Sequence, residues 1–258
     1  MVGTLLLRGM LVGVIAGLLA FGFARVFGEP PVERAIAFEQ QHGQTHTQTD
    51  AHDQAGHTHA TETHAHEPEL VSRATQAGFG LLTGVVVYGA AIGGLFALVF
   101  AFVYGRVGPF GPRGTAALLA LAGFVAIVLV PALKYPANPP SVGAAETIGI
   151  RTALYFAMLA ISVAAMALAV VLARRFTVDY GGWNGGLLAA AAFIAIIAVA
   201  HMVLPEIDEV PQQFSATLLW QFRLAALGMQ AVLWAALGLV FGVLTERALT
   251  SVPVRSGR

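Results

Sequence analysis

Cysteine is absent from this 258-residue chain, which removes disulfides, thiolate metal sites and thiol redox chemistry from consideration. Lysine occurs once, as Lys134, so no Gly-Lys-[Ser/Thr] phosphate loop can be written and the chain has no ATPase domain of its own. Charge is scarce as well: Asp, Glu, Lys and Arg make up 11% of the residues and hydrophobic types 57%, outside the range of an ordinary soluble domain. No carboxylate interrupts the long apolar runs, so an intramembrane proton relay is not visible. There is no HExxH helix and no evident nucleophile, which argues against a membrane hydrolase or any other enzyme. A formal net charge of zero gives no reason to expect a nucleic-acid partner.

What remains is apolar sequence in membrane-sized lengths. Residues 9–24, 74–105, 114–133, 152–173 and 180–205 are free of Asp, Glu, Lys and Arg, and 215–245 is broken only by Arg223. A bilayer core takes about 20 apolar helical residues, and lipid offers backbone amides no partner outside the segment. The first run is the shortest, but Arg8 and Arg25 can snorkel and extend it to roughly residues 5–27. The expected fold is therefore all-α, a single polytopic membrane domain over residues 1–258 with six transmembrane helices embedded in a lipid bilayer.

Orientation follows from the basic residues. With the N-terminus inside, the inner segments hold Arg8, Arg106, Arg113, Arg174, Arg175, Arg247, Arg255 and Arg258, and the outer ones Arg25, Arg34, Arg73, Lys134 and Arg151. That split favours N-in and C-in. A competing reading takes residues 1–24 as a cleaved signal peptide, with Arg8 as n-region and Gly22-Phe23-Ala24 as a small-x-small cleavage site. Cleavage would leave five spans and keep the first long loop outside.

That loop, residues 40–68, is the densest chemical signal in the chain. Seven of the eight histidines, His42, His46, His52, His57, His59, His64 and His66, fall within 25 positions separated by Thr, Gln, Ala and Asp. Neutral imidazole is a common ligand for first-row transition metals, and Asp50, Asp53, Glu62 and Glu67 could add carboxylates. Low in aliphatic side chains, the tract is expected to be disordered, extracytoplasmic and metal-binding. The plainer reading is a low-complexity linker whose rings charge near pH 6. Imidazole affinity rises toward Cu and Ni, so the tract would concentrate metal without choosing it.

A second signal lies at the outer end of the fifth span, where His201 is followed by Glu206, Asp208 and Glu209 in a loop lacking Lys and Arg. Such donors at a pore mouth suit a partly hydrated divalent cation. The alternative is an acidic interfacial loop with His201 bonded to a neighbouring helix. Arg223, the lone charge inside a span, needs a partner or a route outward; it is expected to pair structurally with the 206–209 loop. Met158 and Met166 read as packing.

The outer loops are all proline-bearing (Glu29-Pro30-Pro31, Pro136 to Pro140, Pro205 to Pro211) and should be ordered. Glycines recur one or more turns apart at Gly9/Gly13/Gly17, Gly80/Gly84, Gly89/Gly93 and Gly238/Gly242, mostly for close helix packing.

Several of these segments together resemble the CbtA family of proposed bacterial cobalt transporter subunits. They are Arg8-Gly9-Met10-Leu11-Val12-Gly13 through Phe23-Ala24-Arg25-Val26-Phe27-Gly28-Glu29-Pro30-Pro31, the acidic His-rich loop, Lys134-Tyr135-Pro136-Ala137-Asn138-Pro139-Pro140, and Leu204-Pro205-Glu206 through Pro211 with Leu219-Trp220-Gln221-Phe222-Arg223. The resemblance implies a multi-pass protein of the bacterial inner membrane, linked to cobalamin metabolism. It also implies a small single-span partner with its own histidine motif, CbtB. The expected function is divalent transition-metal uptake with Co2+ as substrate, Ni2+ and Zn2+ being the alternatives, and no organic cofactor. Two rivals remain: a metal-binding or sensing scaffold that transports nothing, and a carrier of an organic solute such as a corrinoid.

Overall fold

The computed structural model describes residues 2–49 and 72–250, and among them every regular element is helical. In chain order these are α1 (Val2–Phe23), α2 (Glu29–Thr49), the short α3 (Arg73–Thr75), α4 (Leu81–Val103), α5 (Pro112–Gly123), α6 (Val130–Lys134), α7 (Ile148–Val203) and α8 (Ala216–Thr250). Single π turns at Ala24–Gly28, Gln76–Gly80 and Phe124–Leu129 join α1 to α2, α3 to α4 and α5 to α6 without breaking their rods. Five helical stretches are long and apolar enough to cross a membrane: Val2–Gln41, Gln76–Val103, Pro112–Lys134, Ile148–Val203 and Ala216–Leu249.

Two of the π turns lie just ahead of proline, and the chemistry explains why. Proline has no N–H to give the carbonyl four residues back, so the helix must widen or break there. Glu29 instead donates to Ala24 O, five residues back, just before Pro30 and Pro31. Val130 donates to Val125 O just before Pro131. The consequence corrects one expectation: the Glu29-Pro30-Pro31 segment is not a loop but the first turn of α2. Proline is well tolerated there. Because α2 runs to Thr49, the first ten positions of the expected 40–68 loop are helical backbone, including those of His42 and His46. His52, His57, His59, His64 and His66 lie outside the described residues.

The fourth stretch, α7, is 56 residues long. As a straight rod it would measure about 84 Å, against a hydrocarbon core of about 30 Å. It is not straight. Gly181 has φ 78° and ψ 164°, a region open essentially to glycine alone. Beyond it the chain doubles back, so that a Cβ on Gly185 would come within 2.7 Å of the Phe176 carbonyl carbon. At the other end of the arms, Met158 and Ile161 pack with Ala200 and Ile197 in one cluster. Thus α7 is a pair of antiparallel arms joined at one residue, and the loop expected over 174–184 shrinks to that break.

The core lies among α1, α4, α5 and α8. Along α1 and α4 the backbones themselves touch: Gly9 faces Gly93, Gly13 faces Gly89, and Gly17 faces Val85, where an added Cβ would lie 2.8 Å from the carbonyl oxygen. Small residues permit this approach, and dispersion between backbones rewards it where lipid gives no hydrophobic drive. Of the other expected pairs, Gly238 and Gly242 seat α8 against Ala116, Ala120 and Arg113 of α5, whereas Gly84 meets nothing. A layer of Phe96, Phe100, Leu237 and Phe241 fills the centre, with Phe241 edge-on to both other rings. The α7 pair joins this bundle at the side, through Val125, Val130 and Tyr135.

Candidate metal-entry cap

At the end of the bundle where α6 stops and α8 begins, two largely irregular segments, 135–147 (ending in a 3-10 turn, Ala145–Thr147) and 204–215, close over the helices. Each fastening has a polar side chain from one segment and a partner from another. Lys134, the last residue of α6, has a side chain only 6% exposed; its ammonium donates to His201 O at 3.0 Å and lies 3.5 Å from Glu206 Oε1. The Tyr135 hydroxyl donates to Pro205 O at 2.8 Å, and burial raises the phenol pKa, which keeps it a donor. Arg223 Nη2 donates to Asn138 Oδ1 at 3.1 Å, and Asp208 is the carboxylate that acts on it electrostatically.

Glu209 is held most firmly of the acids. The Ala144 N–H donates to its Oε2 at 2.9 Å, and Arg151 lies 3.5 Å away. The Thr147 hydroxyl, the Ala144 amide and Arg151 together depress its pKa below the usual carboxylate value, outweighing the opposing effect of burial. Asp208 Oδ1 accepts from Val210 N at 3.3 Å, a short-range turn bond. Beneath the polar fastenings Ala35 of α2 packs with Val142 and Phe214. Phe38 meets Phe214 edge-on at 5.2 Å. The Arg73–Glu29 pair at 2.8 Å draws the start of α3 to the same end.

The four residues singled out at the mouth therefore divide. Glu209 and Asp208 are engaged in cap geometry. Glu206 projects outward with its side chain 91% exposed, available to a cation beyond its contact with Lys134. His201 has a buried Nε2 without a hydrogen-bond partner among the described residues. Among the described residues no three His, Asp or Glu side chains are grouped to hold a metal ion. Lys134, Asn138, Thr147 and Arg151 complete the cap and were not picked out from sequence as its partners. The one available hint was that the sole lysine opens the segment Lys134-Tyr135-Pro136-Ala137-Asn138-Pro139-Pro140. Met158, a conceivable thioether ligand, is fully buried beside Val130 and Ala200.

A family model described as probable cobalt transporter subunit, CbtA, matches residues 2–246. The chain belongs to the CbtA family. No curated protein and no solved structure matches it. For a CbtA protein the long apolar helices are those of a multi-pass membrane subunit. The word subunit implies at least one partner, and the family is a transporter class rather than an enzyme class.

Proposed function

We propose that this CbtA protein is the membrane-spanning subunit of a bacterial divalent-metal uptake system, with Co2+ as its substrate and the inner membrane as its site. The chain crosses six times, the two arms of α7 counting separately, with both ends cytoplasmic and the cap outside. The His42–His66 tract captures metal at low supply and delivers it to Glu206 and His201 at the cap, while Asp208, Glu209 and Arg223 hold the mouth in shape. A small single-span histidine-bearing subunit of the CbtB type is the proposed partner. The membrane potential supplies the drive, about 2.3 kcal/mol per charge per 100 mV and twice that for a divalent ion. The observation that carries this reading is the match to a cobalt transporter subunit along nearly the whole chain.

The test is radiocobalt uptake into proteoliposomes with an imposed potential, with Ni2+ and Zn2+ in competition and the partner present or absent. Uptake well above empty vesicles is expected. Deleting residues 42–66 should reduce it only when metal is scarce. No flux at any metal concentration, with tight binding intact, would replace transport by the scaffold reading. Unchanged scarce-metal uptake after the deletion would remove the tract from the pathway.

A further inference from the structure

The bundle interior holds a line of polar atoms that have no hydrogen-bond partner among the described residues. Four lie on α8: Arg223 Nε, Gln230 Oε1, Trp234 Nε1 and Thr245 Oγ1 are each buried and unpaired among the described residues. At 100° per residue, positions 223, 230, 234, 241 and 245 share one face of a helix. Leu237 and Phe241, both wholly buried, identify that face as the one turned to the core. From residue 223 to residue 245 is about 33 Å of helix, which is about the thickness of the hydrocarbon layer. Lipid cannot satisfy such groups and a dry core would leave them unpaired; water or a hydrated ion beside them would pair them.

The packing of that face changes along its length. In its outer stretch Arg223, Ala226, Leu227 and Gln230 are all only partly buried, although the Arg223 Nε and Gln230 Oε1 atoms are themselves covered. Leu227 is the one bulky apolar side chain among these four. From Trp234 inward Trp234, Leu237, Phe241 and Thr245, along the middle of the face, are all buried, while Leu244 at its edge is exposed. The Trp234 indole lies over Gly123 of α5, and Leu237 and Phe241 follow, packed against Phe96 and Phe100. Thr245 comes beyond this aromatic layer. Toward its outer end α8 also packs against the π turns that follow α1 and α5. There Pro30, Pro31 and Pro131 leave the carbonyls of Val26, Phe27 and Ile127 without their usual i+4 donors.

We propose that the core-facing side of α8 is the route of a hydrated divalent cation: a loosely packed outer stretch from Arg223 to Gln230 that opens to water, a closed apolar gate of Phe96, Phe100, Leu237 and Phe241, and Thr245 on the far side. The proposal takes the identity of the cargo from the uptake reading above, but the position of the water does not depend on it. Gln230, with a neutral carbonyl oxygen at the inner limit of the loose stretch, replaces part of an ion's hydration shell without trapping it as a carboxylate would. Arg223 is held to Asn138 at the head of the route, with Asp208 offsetting its charge.

Because the chain has no cysteine, single thiols can be placed without background. In proteoliposomes treated with a charged, membrane-impermeant thiosulfonate, Gln230→Cys should react at least about tenfold faster than Ala231→Cys, its lipid-exposed neighbour. Glu206→Cys, on the exposed cap, serves as the reactive control. Equal protection of positions 230 and 231, with both thiols reacting after denaturation, would overturn the route. In uptake, Gln230→Leu should lose most flux at unchanged folded yield, and full flux in that variant would overturn the route too. If the unsubstituted protein moves no metal, the transport reading fails while the thiol result still decides where water goes.

Discussion

Along α1 and α4 helix packing is achieved by having almost no side chains: Gly9, Gly13 and Gly17 lie against Gly93, Gly89 and Val85, and the atoms nearest them are mostly main chain. The cap is built the other way. Lys134, Tyr135, Asn138, Arg151, Glu209 and Arg223 reach across gaps that the backbones leave open. The first arrangement has no slack, because the atoms an added Cβ would meet are mostly main chain. The second is held by several side-chain fastenings spread over two segments and the ends of the helices. Rigidity in this protein thus resides in the bundle, and adjustability at the cap.

The largest effect should come from breaking the tight region. Overfilling a packed core costs about 1–3 kcal/mol where side chains can shift. At Gly13 the obstacles are main-chain atoms of Gly89 and Ala90, so Gly13→Leu should cut the yield of folded protein in detergent by about tenfold or more. Near-normal yield would mean that α1 and α4 do not meet as described. The next effect belongs to the α7 turn. Gly181→Ala forces a side chain into a backbone region reserved for glycine and should cost about 1–3 kcal/mol, read as a lower melting temperature. No change would show that the turn relaxes freely.

The smallest effect concerns the cap and acid. Glu209 has a folded-state pKa below its ordinary value of 4.5. Its contribution is therefore complete above that ordinary value and is lost as pH falls through the lower folded-state value. Hydrogen exchange in residues 139–147 should rise in that acid window with the bundle unaffected. Glu209→Gln should raise exchange modestly at neutral pH and remove the acid step. Persistence of the step in that variant would assign it to another group.

These differences also mark what could be read from sequence. Charge-free runs pointed to the apolar helices, since in lipid length and hydropathy leave few alternatives. The glycines of α1 were legible as a close-packing face, but not their partners: Gly89 and Gly93 meet them while Gly84 meets nothing. Pro30 and Pro31 suggested a loop because the widening of the preceding turn, which lets the helix pass through them, leaves no mark in composition. At the cap the acids were visible and their bases were not. Lys134 and Arg151 lie 72 and 58 positions from Glu206 and Glu209, and only the fold brings them together.

The rod formed by α1 and α2 has a mechanical consequence. From Glu29 to Thr49 it extends about 31 Å past the bilayer-sized part of the chain. Arg73 grips Glu29 at the foot of this boom, and higher up the Phe38–Phe214 contact braces it against the segment that carries Glu206. The backbone of His42 begins one turn above that brace, so the boom is a lever with its fulcrum at the cap. A load taken up along the upper arm would be felt at Phe214 before it reached any membrane-embedded helix, while the glycine-on-glycine seam below holds its place.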